Sequence, residues 1–501
     1  MGMKNPAFWV ESSVKKLPPF LPGLSTKLQG RQKRRQLQIL RAKRDEALAS
    51  SISDLGGLFH DILPADWLAE TAADLRKRLF PRVAVFWAWL SQVFEQNESC
   101  AKALALIEAW HQANGLPPPS FDTSSYCKAR QRLPDSFLDQ IHQRVETFAE
   151  ARVEGHQLWH GHRLKAIDGT SVKLMDTPEN QAEFPQPSGQ AEGCGFPVMG
   201  IVGVLDLARG TLSDFITCDH RQHDIRGFYQ LRGHFQQGDI AIGDRAFCSY
   251  EMIALLQAGG VDSLMRLHQA RDARRDWKAG KRIDAASRKV VWRKPAKRGK
   301  AGLSQQEWDA LPETLELRYV RAKGIGRDGK TKTIYLVTTL LDAKRYPSAE
   351  IDALYLERWT IEVKIRDIKT TLKFELLRVK TPAMARRTMK MVQIACNLLK
   401  ARQAEAVRGE PILLIELGFK GTLDLVATMR TDFAGLARRP RLRCTALIDF
   451  EHRLRQRIIE MRPGRHEPRA VKTRPKPYPY LTQPRHEFIE IPHRSTYRKA
   501  A

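Results

Sequence analysis

The sequence predicts an α/β protein: a mixed sheet with flanking helices, accompanied by an α-helical N-terminal domain and a helical C-terminal region. Between residues 50 and 150, apolar residues recur at the spacing of amphipathic helices. From residue 161 to 268, short apolar runs bounded by turn residues alternate with helical segments. After residue 380, helical spacing returns. The alternation in the middle of the chain favours a sheet covered by helices.

The elements of the predicted sheet follow in a definite order. Three consecutive strands are predicted in HRLKAIDGTSVKLMD, PVMGIVGVLDLARG and TLSDFITCDH. They are followed by a helix in DIRGFYQLRGHF, a short strand in DIAIGDRAFCS, a helix in YEMIALLQAGG and a strand in VDSLMRL. The order β-β-β-α-β-α-β indicates a mixed sheet.

An irregular, basic stretch between about 269 and 347 interrupts this pattern. Within it, LELRYVRAKG and KTIYLVTTLLD have the composition of strands and are separated by the turn IGRDG. We interpret the stretch as a β-rich insertion that stands outside the main sheet. A helix is then expected to begin near Ser348.

These changes divide the chain into successive regions. We expect a helical N-terminal domain over 1–150, the first part of the α/β domain over 151–268, the β-rich insertion over 269–347, the second part of the α/β domain over 348–400, a helical C-terminal region over 401–462 and a tail over 463–501. The tail is basic and rich in proline, which favours an extended or disordered chain.

The charge of the chain indicates a polyanionic partner. Its 501 residues carry a formal net charge of +27, and the sequence pI is about 9.9. Ribosomal or membrane-surface binding also fits the charge alone. The basic segment RQKRRQLQILRAKR at 31–44 is either a solvated helix or an arm that contacts phosphates. Helices of the N-terminal domain are candidates to present Lys128, Arg130 and Arg132 to DNA.

The cysteines and the apolar runs indicate in which cellular compartment the protein is expected. Seven cysteines are scattered without a CxxC pair, which argues against a structural zinc site and a disulfide framework and suits a reducing compartment. The longest apolar run, VAVFWAWL at 83–90, is too short to span a bilayer. The start of the chain has no secretory signal pattern. We therefore expect a cytoplasmic protein.

One segment, YLERWTIEVKIRDIK, carries a spacing of functional interest. Tyr355, Arg358, Glu362 and Lys369 follow the pattern Tyr-x2-Arg-x3-Glu-x6-Lys. A helix would place the four within an arc of roughly 60°. The alternative is a solvated helix surface, on which Arg358 and Glu362 form an ordinary i,i+4 ion pair. A separate apolar stripe would hold the helix against the core: Leu354, Ile361, Ile365, Ile368 and Leu372.

Two aspartates stand at the ends of apolar strand segments, each beside a glycine. Asp168 lies in KAIDGTSVKL and Asp244 in IAIGDRAF. Taken alone, either residue could be a simple turn former. Together with Glu362, they can converge on one edge of a sheet as oxygen ligands, which suit Mg²⁺. Two such ions can activate the attacking oxygen and stabilise the leaving oxygen of a phosphoryl displacement.

These motifs give the chain a resemblance to a known family. AIDGTSVKL, IGDRAF and YLERWTIEVKIRDIK resemble the catalytic motifs of DDE transposases of bacterial insertion sequences. The last of them is similar to the Tyr-Arg-Glu-Lys signature of the insertion-sequence-four family. The resemblance extends from about Ser124 to near Arg485.

The resemblance implies a fold, an activity, a cofactor and partners. The α/β domain would be an RNase H-like catalytic domain in which Asp168, Asp244 and Glu362 hold two Mg²⁺ ions, with Mn²⁺ as an alternative. The activity would be endonucleolytic cleavage at the ends of a mobile element and strand transfer, by cut-and-paste through a DNA hairpin. The partners would be double-stranded DNA, both terminal inverted repeats and target, and further copies in a homodimer or higher synaptic assembly. Such a protein acts at the nucleoid.

Further residues would contact the DNA. The resemblance and the chemistry of the side chains suggest that Arg358 and Lys369 grip terminal phosphates and that Tyr355 donates a hydrogen bond to one. Arg245 either contacts phosphate or pairs with a carboxylate. Tyr335 is the candidate for a flipped-base pocket, the alternative being an ordinary half-buried strand aromatic.

Two other functions remain open from sequence. An RNase H-like DNA nuclease without strand transfer needs the same three carboxylates. An inactive DNA-binding relative is disfavoured by the intact Asp168, Asp244 and Glu362.

Overall fold

The computed structural model describes residues 52, 54–73, 79–96, 99–120, 122–220, 224–299, 302–325, 331–355, 369–434, 436, 439–459 and 481–488. These residues form two compact units. The first unit contains the described residues up to 137 and those of 427–448, and the second contains those of 138–426 and those from 449 onward. The predictions for the basic segment 31–44, and for most of the tail, concern residues outside the described part. No helix of the described residues is long and apolar enough to cross a membrane.

The first unit is built of helices, as the periodicity predicts. Residues 54–58 are helical, and four labelled helices follow them. The second of these is buried along almost its whole length, from Ala84 to Phe94, so it is the central helix of the unit. The four are α1 (Ala65–Ala72), α2 (Arg82–Phe94), α3 (Cys100–Ala113) and α4 (Thr123–Gln131).

Aromatic side chains fill the core of this unit. The rings of Phe59 and Phe94 stack with centroids 5.9 Å apart, and Phe86 meets Phe137 edge to face at 6.1 Å. Tyr126 of α4 is fully buried, and its hydroxyl donates to Oε1 of Gln92 on α2 at 2.5 Å. A buried phenol needs such a partner, so this bond also fixes α4 against α2.

The second unit is organised around one ten-stranded sheet. The strands run in the spatial order β3-β2-β1-β4-β5-β9-β8-β7-β6, and β10 pairs with β1. The strands are β1 (Leu164–Leu174), β2 (Val198–Asp206), β3 (Thr211–Asp219), β4 (Ile240–Gly243), β5 (Asp262–Arg266), β6 (Lys281–Arg282), β7 (Ser287–Arg293), β8 (Thr314–Ile325), β9 (Thr331–Thr338) and β10 (Leu376–Leu377).

The sheet is mixed, as the order of elements predicts. β1, β2 and β3 form an antiparallel meander, whereas β1, β4 and β5 are parallel neighbours. The chain passes through α7 before it enters β4 and through α8 between β4 and β5. A helix is the usual crossover between parallel strands of one sheet.

The prediction that the insertion stands outside the main sheet is wrong. β9 pairs antiparallel with β5, so that Leu264 lies opposite Thr338 and Arg266 lies opposite Leu336. β8, β7 and β6 continue the sheet from there. The physical reason is the edge of β5. Without β9, that edge would leave a row of main-chain donors and acceptors unpaired.

The remaining helices and short 3₁₀ turns complete the chain. The helix α6, between β1 and β2, and the helices α9 and α10 in the insertion were not predicted. The helices are α5 (Asp135–Glu150), α6 (Pro178–Glu183), α7 (Asp224–Leu231), α8 (Tyr250–Ala258), α9 (Ala273–Ala279), α10 (Gln305–Asp309), α11 (Pro382–Ala406), α12 (Phe419–Met429) and α13 (Pro440–Arg455). The 3₁₀ turns are Gly155–Gln157, Arg232–His234, Leu414–Glu416, Arg430–Phe433 and Arg485–Glu487.

Each face of the sheet has its own apolar cluster. The cluster that contains Ile167, Val204, Ala241 and Val337 lies on one face. The other face, which we call the motif face, carries Leu164, Ile240, Ile242, Leu264 and Leu336, with Ile351, Leu354 and Tyr355 packed against them. Because side chains alternate along a strand, each strand residue can be assigned to one face from its neighbours.

A buried arginine fastens the insertion strands to the segment that follows them. Arg318 of β8 is 0% exposed. Its guanidinium donates to Oδ2 of Asp284 at 3.0 Å, to Oγ of Ser348 at 2.8 Å and to the main-chain oxygen of Tyr346 at 2.7 Å. Its Nε donates to Oγ of Ser287 on β7. The first residue of helix 348–355 is thereby tied to two strands of the insertion.

Candidate active site

The register of the sheet brings the two predicted aspartates side by side. In the parallel pair β1–β4, Leu164 lies beside Ile240 and Ala166 lies beside Ile242. Asp168 lies two residues further along β1, and Asp244 lies two residues after Ile242, just past the end of β4, so the pairing directs both aspartates toward neighbouring positions. Neighbouring strands lie about 4.8 Å apart, which is close enough for two carboxylates to share a cation.

Both aspartates belong to the motif face. Asp168 has the same parity along β1 as Leu164, and Asp244 follows Ile240 and Ile242 at the same alternation. Tyr355, the first residue of the predicted signature, packs on that same face with its neighbour Leu354. The structure therefore places the start of the signature on the side of the sheet where the aspartates lie.

The edge of β1 is open beside Asp168. β2 covers the opposite edge along its length, from Lys165 to Lys173. On the near edge, β4 pairs only as far as Ala166, and β10 pairs from Lys173. Between these two contacts no described strand pairs with β1, and the Nζ of Lys369 donates to the main-chain oxygen of Ser171 there. The last residue of the signature thus lies at the same gap in the ladder as Asp168.

Short main-chain contacts hold the two carboxylates. Oδ1 of Asp168 accepts from the N–H of Gly169 at 2.8 Å. Oδ1 of Asp244 accepts from the N–H of Ala246 at 2.7 Å, which makes an Asx-type turn after β4. Both aspartates are half-buried. They are therefore positioned without being enclosed, which leaves room for a ligand.

Gly243 is required where β4 ends. A Cβ atom at this position would lie 3.1 Å from Cβ of Phe247 and 3.4 Å from Cγ2 of Ile167. Both atoms belong to packed side chains, so a larger residue would push the end of β4 away from β1. The position of Asp244 therefore depends on the small residue that precedes it.

Two signature residues, Arg358 and Glu362, lie outside the described part of the chain. Within the described part, no group of three or more His, Cys, Asp or Glu side chains could hold a metal ion. A pair of aspartates completed by Glu362 would supply oxygen donors alone. Such a donor set fits Mg²⁺ or Mn²⁺ better than zinc.

Tyr355 is more deeply buried than the helical arc suggested. Its side chain is 6% exposed and belongs to the apolar cluster of the motif face, next to Leu354. A 100° step separates consecutive helix residues, so Leu354 and Tyr355 can share one broad buried face. The phosphate contact through Tyr355 stays a prediction.

Two other predicted DNA contacts lie in different surroundings. Arg245 is exposed next to Asp244, and its Nη1 donates to Oε1 of Gln269 at 3.1 Å. Tyr335 of β9 packs with the cluster of Ile167 and Val337, on the face opposite to the aspartates. The structure therefore does not bring Tyr335 together with the carboxylates, and its role as a base pocket stays a prediction.

Sequence reasoning missed the partners of Tyr335. The ring of Trp277 on α9 lies 5.6 Å from that of Tyr335, and the guanidinium of Arg321 lies 4.0 Å from the Trp277 ring centroid. Arg321 itself is exposed. A tryptophan inside a basic, irregular segment was the available signal, because planar cations and aromatic rings attract one another.

Comparison with known proteins identifies the class of the chain. Residues 159–398 match the family model of the transposase DDE domain. This range contains both aspartates and the whole signature from Tyr355 to Lys369. This match and the relatives described below support an assignment of the chain to the DDE transposases, enzymes that cleave and rejoin DNA.

Two relatives are similar to the chain and support the resemblance to the insertion-sequence-four family that the signature indicates. The chain is 25% identical over 448 residues to the transposase InsG for insertion sequence element IS4 of Escherichia coli (strain K12), covering 87% of this chain and 95% of the relative. It is 23% identical over 210 residues to the putative transposase InsZ of the same organism, covering 40% of this chain and 68% of the relative.

One solved structure matches the chain with low sequence identity and a low TM-score. It is a piggyBac transposase synaptic complex with hairpin DNA, matched at 11% identity and a TM-score of 0.38, over 84% of this chain and 87% of that one. A similarity of this size carries no argument about the chain.

Proposed function

We propose that this transposase cleaves DNA at the ends of an insertion sequence and transfers the freed strand into target DNA, with Asp168, Asp244 and Glu362 as its metal-binding carboxylates. The observation that carries the proposal is the register of β1 and β4, whose last pair, Ala166 with Ile242, precedes each aspartate by two residues and supports neighbouring positions for them on the motif face. The sheet order β3-β2-β1-β4-β5, antiparallel on one side of β1 and parallel on the other, supports an RNase H-like catalytic domain.

The chain's own residues would prepare the site before chemistry. The N–H groups of Gly169 and Ala246 each hold one oxygen of the neighbouring aspartate, which orients the carboxylates. The divalent ions, when bound, would activate the attacking oxygen and stabilise the leaving oxygen of an in-line displacement. Glu362 would complete the ligand set from the segment that follows Tyr355.

The DNA end would be held by the cations around this site. Lys369 lies at the gap in the β1 ladder, and Arg245 is exposed immediately after Asp244. With Arg358, they would grip phosphates near the scissile bond, and Tyr355 would add a hydroxyl donor. Tyr335 would receive a flipped base in a hairpin route. Paired ends would require a dimer or a higher assembly.

The experiment uses the full chain and duplexes carrying the inverted repeats that flank its gene. Uncut ends report cleavage, and pre-cut ends with a plasmid target report strand transfer, each with Mg²⁺ or Mn²⁺. Asp168→Asn, Asp244→Asn and Glu362→Gln should each lower both rates by more than about 100-fold, since even outer-shell partners of metal ligands cost about 10- to 100-fold. The matched control is Glu316→Gln on β8, which removes the charge of a carboxylate in an exposed ion pair with Lys289 of β7.

The products decide between the alternatives. Joined product from pre-cut ends supports the transposase reaction, and a covalently closed end during cleavage supports the hairpin route. Cleavage without any joined product would favour an RNase H-like nuclease. Unchanged cleavage in the Asp168→Asn or Asp244→Asn variant would overturn the site.

A further inference from the structure

Two cysteines of the first unit lie in contact on neighbouring helices. Cys100 is on α3 and Cys127 is on α4, and their Sγ atoms are 3.6 Å apart. Both residues are half-exposed, so small reagents can reach them. A sulfur–sulfur separation of this size is a non-bonded contact, and a disulfide bond would require the two sulfurs to approach to about 2.05 Å.

A guanidinium lies against both sulfurs. Nη2 of Arg130 is 3.7 Å from Sγ of Cys100 and 4.0 Å from Sγ of Cys127. Arg130 is held in place by the rings of Trp89 and Tyr126, whose centroids are 5.1 Å and 5.2 Å from its Cζ. Among the described residues, its buried Nε has no hydrogen-bond acceptor. The cation is therefore aimed at the sulfurs, where it stabilises negative charge that develops during thiol exchange.

The position of Cys100 adds a second favourable charge. Cys100 is the first residue of α3, directly after the N-cap Ser99. The first turn of a helix presents unpaired N–H groups and a partial positive charge, which favour a sulfur anion. Cys100 thus receives positive charge from two directions, the helix terminus and Arg130.

Three of the other five cysteines differ from the pair in exposure, whereas Cys194 and Cys218 are half-exposed. Cys248 and Cys396 are buried, and burial raises the pKa of the Cys248 thiol to about 12. Cys444 is exposed on α13. All seven cysteines are within the described residues and are free thiols, and Cys100 with Cys127 is the pair whose sulfurs touch.

We propose that Cys100 and Cys127 form a reversible redox site, at which a small disulfide such as oxidised glutathione converts the two thiols into a bridge between α3 and α4. The Cys100 thiolate attacks the small disulfide, forms a mixed disulfide and releases one small thiolate. The Cys127 sulfur then attacks Sγ of Cys100 and releases the second. The protein loses two protons and two electrons in total, and the small disulfide takes up both to become two thiols. In a reducing compartment such pairs are transient sensors rather than structural bonds.

The test exposes the full, folded chain to glutathione buffers of increasing oxidising poise and maps the products by peptide mass spectrometry. The expected product is a peptide pair joined through Cys100 and Cys127, about 2 Da lighter than the two thiol peptides and restored by dithiothreitol. Cys127→Ser should instead accumulate a glutathione adduct on Cys100. Cys444→Ser should form the bridge at the wild-type rate.

The contribution of Arg130 is tested on the rate. Arg130→Gln should slow bridge formation about tenfold, and Arg130→Lys should retain part of the rate because it keeps the charge. Arg132→Gln, an exposed position on the same turn of the chain, is the matched control and should have no effect. Circular dichroism verifies that each variant is folded. Separate adducts on Cys100 and Cys127 without a bridge, or a bridge that forms only in denaturant, would overturn the proposal.

Discussion

The two halves of the sheet treat charged side chains in opposite ways. At the end of β4, Asp168 and Asp244 are half-buried, and each has one oxygen held by a nearby main-chain N–H group. In the insertion, Arg318 is fully buried and donates to a carboxylate, two hydroxyls and main-chain oxygens.

The difference distinguishes a candidate binding site from a buried structural contact. Under the proposed function, a carboxylate that binds a cation must keep acceptor capacity, so its place is set by strand register and short turns. A buried guanidinium must satisfy its donors within the protein, so its partners fix the strands and the segment that they contact. The former arrangement limits activity, and the latter limits stability.

The largest effect is expected at the buried side chain of Arg318. Arg318→Ala leaves Asp284 and two hydroxyls without their cation and should lower the free energy of unfolding by about 3–5 kcal/mol. The measurement is urea denaturation of the full chain. Lys289→Ala, which removes an exposed pair with Glu316, should cost less than about 1 kcal/mol. An equal loss of unfolding free energy in Arg318→Ala and Lys289→Ala would contradict the special role of the buried arginine.

The next effect is expected at the site. Gly243→Ala should crowd Phe247 and Ile167 and shift Asp244 relative to Asp168, lowering the cleavage rate roughly 10- to 100-fold. The unfolding free energy should change by only about 1 kcal/mol. Gly259→Ala is the control, because its nearest neighbour atom would lie 3.4 Å away, an ordinary contact. A wild-type cleavage rate in Gly243→Ala would argue against register as the positioning element.

A smaller effect depends on pH. Burial disfavours the charge of Asp284, but hydrogen bonds from Ser348, Ser287 and the N–H of Ala286, with the charge of Arg318, outweigh it and hold its pKa below the ordinary value. A carboxyl with a lowered pKa in the folded state stabilises at neutral pH, and this contribution is lost as the pH falls through that pKa.

Asp284→Asn should therefore flatten the acid limb of the stability curve. Between about pH 4 and pH 3, the wild type should lose stability more steeply than the variant. Thermal unfolding monitored by circular dichroism measures this slope. Parallel acid limbs for the two proteins would show that Asp284 is not charged against Arg318.

The smallest effect is expected at the stacked cation. Arg321→Ala removes the guanidinium over Trp277 at the surface of β8 and should cost about 0.5–1 kcal/mol. Arg293→Ala, an exposed position at the end of β7, should cost nearly nothing. Urea titrations of both variants provide the comparison. A loss at Arg321 as large as that at Arg318 would mean that exposure does not separate the two arginines.

Local sequence patterns predicted the order of the first five strands and the two aspartates that their register brings together. These features depend on apolar runs, turn residues and glycines, which are visible in short stretches of chain. The signature was found by its spacing, and the contact of Lys369 with Ser171 places its last residue beside β1.

Features that depend on distant pairing were not predictable in the same way. Nothing in the composition of β9 specifies that it joins β5, because an edge strand and a separate sheet have the same periodicity. The burial of Tyr355 depends on the width of the surface that β4 and β5 offer to the helix. Arg318 looked like one more cation in a basic insertion, since its partners are 22 to 34 residues away along the chain.

The pairing of β5 with β9 has a consequence for any shortened form of this protein. Removing the insertion would turn β5 from a central strand into an edge strand. Its main-chain donors and acceptors from Leu264 to Arg266 would then be unpaired. Exposed edges of this kind template pairing between molecules. A trimmed enzyme would therefore aggregate unless a charged residue, a proline or a covering helix were supplied there.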